Sequence, residues 1–292
     1  MPQQDTAIVD RMRLLEGWLQ PRLDGGQRAW LDDQLARISS SPTERALAIA
    51  IGMVPRKLSK DALSLTDTER RAGNAVRPGL DARKWSVDQT ARILFVLASY
   101  AGAADTFAAR LDRLVRSAEI GEQVALLRGL PLYPCPDEIL GVAGEGIRSA
   151  IQPVFEAVAH ESPYPSEHFS EAMWNQMAVK TLFIGSCLSP IQGLDERRNA
   201  ELARMLVDYA HERWAAKRTV SPELWRCVGP FADGQAYDDI VKVFRTANGT
   251  ERKAAALALA ECPSPDALIV LETAPALWND IRSGRLTWDT LE

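Results

Sequence analysis

Lys180, Asp195 and His211 are the ionisable residues with the clearest capacity for acid–base or covalent chemistry in the 292-residue sequence. A lysine desolvated among apolar side chains has a lowered pKa and can serve as base or nucleophile, and a carboxylate and an imidazole would complete such a site. Asp208 and His211 also stand three apart, which puts two metal-ligating side chains on one helix face, half of a di-metal carboxylate site. The other half is missing. His160 and His168 are the only other histidines, and neither lies in a Glu-x-x-His. Asp208, His211 and Glu212 therefore read as a solvated charged face, and no metal or other cofactor is expected. No phosphate loop, dinucleotide fingerprint, nucleophile elbow or His-Glu-x-x-His helix occurs, so no catalytic residue is assigned.

The elements that carry these residues are helical. The spacing predicts a helix over 166–188 that is apolar on most sides, with Trp174, Ala178, Thr181 and Gly185 on one narrow, mostly small stripe. Such a helix is expected to be central and enclosed by neighbours. Gln176, Lys180 and Cys187 share its polar strip. If the strip faces water, Lys180 is an ordinary surface lysine; if it is enclosed, Lys180 needs a carboxylate or carbonyl partner. Ser-Pro-Ile-Gln-Gly-Leu-Asp, 189–195, ends the helix, and Asp195 is either an Asx cap of that turn or a reactive carboxylate. A second helix over 199–217 has Leu202, Met205, Leu206 and Tyr209 on its core stripe and Asn199 as its cap. Should a ligand bind here, the residues expected to hold it are Trp174, Asn175, Gln176, Lys180, Gln192, Asp195, His211 and Trp214. Trp174, Trp214 and Trp225 suit aromatic or amphipathic molecules.

Helical periodicity runs from end to end, and strand alternation is nearly absent. Helices are read near 5–20, 26–38, 42–53, 67–74, 87–100, 104–117, 120–129, 136–160, 166–188, 199–217, 221–228, 236–247, 250–261, 265–273 and 276–282. Ser41, Ser86 and Ser221 are read as N-caps. The glycines of Gly-Val-Ala-Gly-Glu-Gly, 141–146, have no strand before them and read as close helix packing. Residues 43–51 resemble 250–259, and 122–130 is a looser copy; each is followed by a proline-containing turn and an apolar partner helix. That is the unit of helical repeats. The expected architecture is all-α, an irregular HEAT-like α-α solenoid or a superhelical bundle of helical hairpins. It would be one domain over 1–292, with an optional subdivision near 118 into 1–118 and 119–292.

Bulk composition narrows the function classes. At 46% hydrophobic and 25% charged, the chain is ordinary globular protein. Its net charge of −5 argues against a nucleic-acid partner, which would need a basic face. The one basic cluster (Arg70, Arg71, Arg77, Arg83, Lys84) falls in a Gly/Pro-bearing stretch and reads as a solvated loop. No segment reaches the roughly 20 apolar residues of a transmembrane helix, and the first residues lack a signal-peptide layout, so a cytoplasmic location is expected. Cys135, Cys187, Cys227 and Cys262 form no Cys-x-x-Cys pair and read as reduced thiols.

Several long strings together carry a family likeness. WNQMAVKTLFIGSCLSPIQGLDERRN, LARMLVDYAHERWAA, VSPELWRCVGPF and TERKAAALALAECPSPDAL resemble the EboA proteins, as do LDARKWSVDQTARILFVLA and LPLYPCPDEILGVAGEGIRSAI. The resemblance spans most of 40–275 and is densest over 172–231. It implies a product of the ebo gene cluster, whose members are associated with moving secondary-metabolite precursors towards the cell envelope. It carries no catalytic residues across. The function that follows is a non-enzymatic helical scaffold or carrier that binds a small-molecule precursor, another ebo cluster protein, or both. The alternatives are a metal-independent enzyme acting on the precursor and an assembly factor for other cluster proteins.

Overall fold

Residues 87–98 contain eight apolar side chains in twelve positions, with Asp88 and Arg92 one turn apart among them. A helix of that composition has no face to give to water, and the computed structural model, which describes residues 3–291, buries all but one of the twelve. This helix, α5, is surrounded by α1 (Gln3–Leu19), α2 (Gly25–Ser40), α3 (Glu44–Lys57) and α7 (Ile120–Arg128). Further helices complete the first of two compact units, Met1–Phe169: α4 (Asp67–Val76), α6 (Ala104–Ser117), α8 (Leu140–Arg148), α9 (Gln152–Ala159) and α10 (Tyr164–His168). The second unit, Ser170–Glu292, holds α11 (Glu171–Phe183), α12 (Ala200–Ala215), α13 (Leu224–Val228), α14 (Gly234–Thr246), α15 (Gly249–Glu261), α16 (Asp266–Glu272) and α17 (Pro275–Arg282).

The protein is all-α. Among the described residues there are 17 α-helices and no strand, only one isolated antiparallel bridge between Ala62 and Ser86. None of these helices is long and apolar enough to cross a membrane.

In the first unit the extended segment between α3 and α5 is pinned from α1. Arg22, just beyond α1, reaches the Leu63 carbonyl, the Trp18 carbonyl at 2.6 Å and both carboxylate oxygens of Glu69 on α4 at 2.7 and 3.0 Å. Glu69 also closes a capping box with Thr66, accepting from its backbone amide at 2.8 Å. In the second unit α15 is the central helix, packed by α13, α14, α16 and α17. Its run Ala254–Leu259 is buried, and the backbone of Gly229 approaches so closely that an added Cβ would lie 2.7 Å from the Ala258 carbonyl oxygen.

Three helix boundaries depart from the sequence reading. The helix expected over 136–160 breaks at 149–151, because Pro153 fits the first turn of a new helix and cannot continue an old one. The glycine reading holds at Gly146, whose added Cβ would meet Val158 of α9 at 2.5 Å. The helix expected over 166–188 is two. Residues Phe169 and Ser170 separate α10 from α11, and Ser170 caps α11 by accepting from the Met173 amide at 3.3 Å. Helix α11 stops at Phe183 in a Schellman turn: Gly185, at φ +77, donates to the Leu182 carbonyl and Ser186 to that of Thr181. It is not the enclosed rod expected, since Gln176 is exposed and Phe183 is 74% exposed. Of the expected caps, Ser86 stands at the start of α5. Thr43, not Ser41, caps α3, and Glu223, not Ser221, is the residue before α13.

The Arg22 guanidinium holds the Glu69 carboxyl at about 2, against an ordinary 4.5, with the Thr66 amide and hydroxyl assisting and partial burial opposing. A carboxyl whose folded pKa is depressed stabilises the fold above its unfolded pKa, and that contribution fades as pH falls through the folded value. Denaturant titrations between pH 4.5 and pH 2 are therefore expected to show a steep loss of stability that Glu69→Gln flattens. Parallel curves for the two proteins would contradict the role given to this pair.

Candidate functional site

The end of α12 and the start of α13 bring aromatic rings together. Trp214 sits in the last turn of α12, and Trp225 on α13 is 2% exposed; their ring centroids are 6.0 Å apart with planes tilted by 31°. His211, one turn before Trp214, lies 5.7 Å from it centroid to centroid. Its Nε2 is 2.5 Å from Oδ2 of Asp239, a buried carboxylate on α14 that also accepts from Gln235 at 3.2 Å. Asp239 fixes the orientation of the imidazole, and the imidazole extends the aromatic surface. From α14, Lys242 places Nζ 5.1 Å from the Trp214 ring, within cation–π range.

A cleft of about 230 Å³ opens over these rings, bordered by Trp214, Lys217, Arg218, Val220, Trp225 and Glu251 among others. The chain shape there is unusual. Helix α12 ends in the same Schellman turn as α11, with Arg218 N–H donating to the Arg213 carbonyl at 2.8 Å and Lys217 N–H to that of Trp214 at 2.9 Å. The left-handed position of that turn favours glycine, yet Lys217 occupies it at φ +55. Lys217, Arg218 and Lys242 form no ion pair with a carboxylate among the described residues. Glu251 is the one carboxylate on the rim.

The remaining expected site residues fall elsewhere. Asn175 is 2% exposed and exchanges two amide hydrogen bonds with Asn199, at 3.1 and 2.9 Å, while Asn199 caps α12 by accepting from the Leu202 amide at 2.8 Å. Trp174 is fully buried, with the Arg197 guanidinium 4.6 Å from its ring centroid and no acceptor for its Nε1. Gln176 is exposed; Lys180 and Gln192 are half-buried. Asp195 accepts two hydrogen bonds from Arg226, at 2.9 and 2.8 Å, with Arg198 at 3.6 Å. Arg226 holds the Asp195 carboxyl below the usual carboxylate range. Asp195 thus ties the turn after α11 to α13. Asn199 and Trp214 lie at opposite ends of α12, fifteen residues or about 22 Å of helix apart at 1.5 Å per residue. The structure therefore gathers His211 and Trp214 with Trp225, and places Trp174 and Asn175 at the far end of the same helix.

The pattern of one protein family, described as metabolite traffic protein EboA, matches residues 11–229. The chain belongs to the EboA family. No curated protein matches the chain, and no solved structure does. The EboA match runs from α1 to the end of α13, so it contains His211, Trp214, Lys217, Arg218 and Trp225. Val243 and Glu251, the α14 and α15 contributions to the cleft, lie beyond it, as do Asp239 and Lys242.

Removing the Asn175 amide deletes both bonds of the Asn175–Asn199 exchange, while Asn199 keeps the Leu202 amide and the Arg197 carbonyl. Asn175→Ala is expected to lower unfolding free energy by about 2 kcal/mol in urea titrations. A cycle with Asn199→Ala should show strong coupling; purely additive losses would mean that the pair is not a unit.

Proposed function

We propose that this EboA protein is a non-enzymatic helical carrier whose cargo is a planar, anionic small molecule, a secondary-metabolite precursor, seated on Trp214 and Trp225. The observation that carries this reading is the juxtaposition of two adjacent indoles, tilted by 31°, with three cations that have no carboxylate partner among the described residues. Indole faces favour flat, polarisable surfaces, and Lys217, Arg218 and Lys242 would neutralise an acid group at the edge. Family membership supports the metabolite side of the reading, and the packing of Trp214 against Trp225 supports the aromatic side.

In this reading the helices of each unit stack as HEAT-like hairpins, acting as a rigid mount for the cleft and presenting outer faces to other ebo cluster proteins. Gln176, Lys180 and Gln192, on and after α11, would serve such a partner rather than the cargo. The protein would act on the cytoplasmic side, passing cargo on unmodified.

Lys217 in a glycine position supplies a discriminating test, because an L-residue there is strained by roughly 1–2 kcal/mol. Lys217→Gly is expected to raise Tm by roughly 2–4 °C and to weaken binding of 2-naphthoate, followed by calorimetry, several-fold. Trp214→Ala should reduce naphthoate affinity at least tenfold with the helical circular dichroism intact. Neutral 2-naphthol should bind less tightly than 2-naphthoate. Equal naphthoate affinity in all three proteins would sink the proposal.

A further inference from the structure

The first unit contains a second, larger cleft, of about 400 Å³, walled by α1, the end of α4, the Leu130–Pro136 segment and α10. Its apolar lining includes Ile8, Val76, Pro78, Leu130, Pro131 and Pro134. Prolines fix the backbone of that wall without offering amide donors. Two guanidiniums enter it. Arg77 donates to the Pro131 carbonyl at 2.8 Å and is bound through two nitrogens to Glu167, with one distance of 3.0 Å. Arg11 is different. Its Nη1 donates to the carbonyls of Leu132, at 2.8 Å, and Tyr133, at 3.3 Å, and it forms no ion pair with a carboxylate among the described residues. Burial, and then the like charge of Arg77, work against the Arg11 charge.

Of the other polar side chains of the cleft, Tyr133 has a buried hydroxyl with no hydrogen-bond partner, while His168 and Tyr164 are engaged. His168 stacks on Tyr164 at 4.8 Å and lies 3.3 Å from Asp137 and 3.6 Å from Glu167. The Tyr164 hydroxyl donates to the Pro136 carbonyl at 2.5 Å. Among the residues that line the cleft, two guanidiniums face one carboxylate, Glu167, and that carboxylate is bound to Arg77, which leaves Arg11 beside an apolar wall without a carboxylate of its own. A partly desolvated charge of this kind favours a counter-ion brought by a ligand.

We propose that this cleft binds a monocarboxylate with an apolar body, its carboxylate on Arg11 and its hydrocarbon against the proline-rich wall. A phosphate dianion would place surplus negative charge next to Glu167, so one charge is the better match. The site belongs to the first unit and does not rest on the tryptophan cleft.

Cyclohexanecarboxylate, inorganic phosphate and cyclohexylmethylammonium are to be titrated calorimetrically into the full chain and into Trp214→Ala, which separates the two clefts. Cyclohexanecarboxylate is expected to bind both proteins alike, with the ammonium and phosphate at least tenfold weaker. Arg11→Gln should cost at least tenfold in carboxylate affinity. Because Arg11 also ties down the Leu132 and Tyr133 carbonyls, Ala7→Trp provides a second variant that fills the cleft from α1 and keeps those bonds; it should abolish binding with Tm unchanged. Absent binding, carboxylate affinity equal in both cleft variants and wild type, loss of binding in Trp214→Ala, or phosphate binding the tighter would each overturn the proposal.

Discussion

The ion pair inside α5 is the constraint from which the first unit is built. Asp88 and Arg92 sit one helical turn apart, 2.6 Å between charged atoms, with side chains 9% and 3% exposed. A helix packed on four sides cannot send a charge to water, so any charge it carries must be neutralised from within. Ser86 helps from the helix start, donating its hydroxyl to Asp88 at 2.5 Å, while the Arg92 Nε finds no acceptor. Breaking such a pair leaves an uncompensated charge, which is far costlier than the pair itself. The consequences reach outward. Helix α5 supports α1, which carries Arg11, and α7, which leads into the Leu130–Pro136 wall.

The second unit solves the same enclosure problem with small residues. The buried run Ala254–Leu259 of α15 consists of alanine and leucine alone, and no charge lies within it. Alanine faces let backbones meet, which is why Gly229 can rest on Ala258. That contact fixes the end of α13, and with it the height of Trp225 beneath Trp214. Above this floor, Asp239 aligns His211 and Lys242 flanks the indole, so α14 finishes what α12 and α13 begin.

Periodicity made most of these elements legible. Helices α5, α12 and α15 follow directly from apolar spacing, and the all-α class needs nothing more. The failures have a common physical origin. Leu188 continues an apolar pattern after Phe183, and spacing alone reads the helix as running to it. It is buried, as are Ile191 and Leu194 beyond it, but in a loop whose Leu188 and Ser189 amides are satisfied by the Glu223 carboxylate at 2.7 and 3.1 Å. A distant carboxylate replaced the helical acceptors, and spacing cannot reveal that. The same blindness applies to clefts. Trp214 and Trp225 are eleven residues apart and both fall in a family-like string, so they were visible. Arg11 and the carbonyl of Leu132 are 121 residues apart. Nothing in one dimension joins them, and the basic cluster containing Arg77 reads as solvated loop although Arg77 is held against Glu167.

Both clefts lie where helices stop, and the way they stop matters. Three helix ends share one Schellman pattern: α11 with Gly185 at φ +77, α17 with Gly284 at φ +71, and α12 with Lys217 at φ +55. Backbone hydrogen bonding is the same in all three, so stability alone gives no reason for a different residue at the third. Glycine would relieve the strain there. Lys217 instead holds that strain on the rim of the indole cleft. Asp195, by contrast, is bound to Arg226, so its charge serves the fold. Pairing does not by itself mark the clefts: Arg77 and Glu167 are bound to each other in the wall of the first unit's cleft, whereas Lys217 and Arg218 border the second unit's cleft with no carboxylate partner among the described residues.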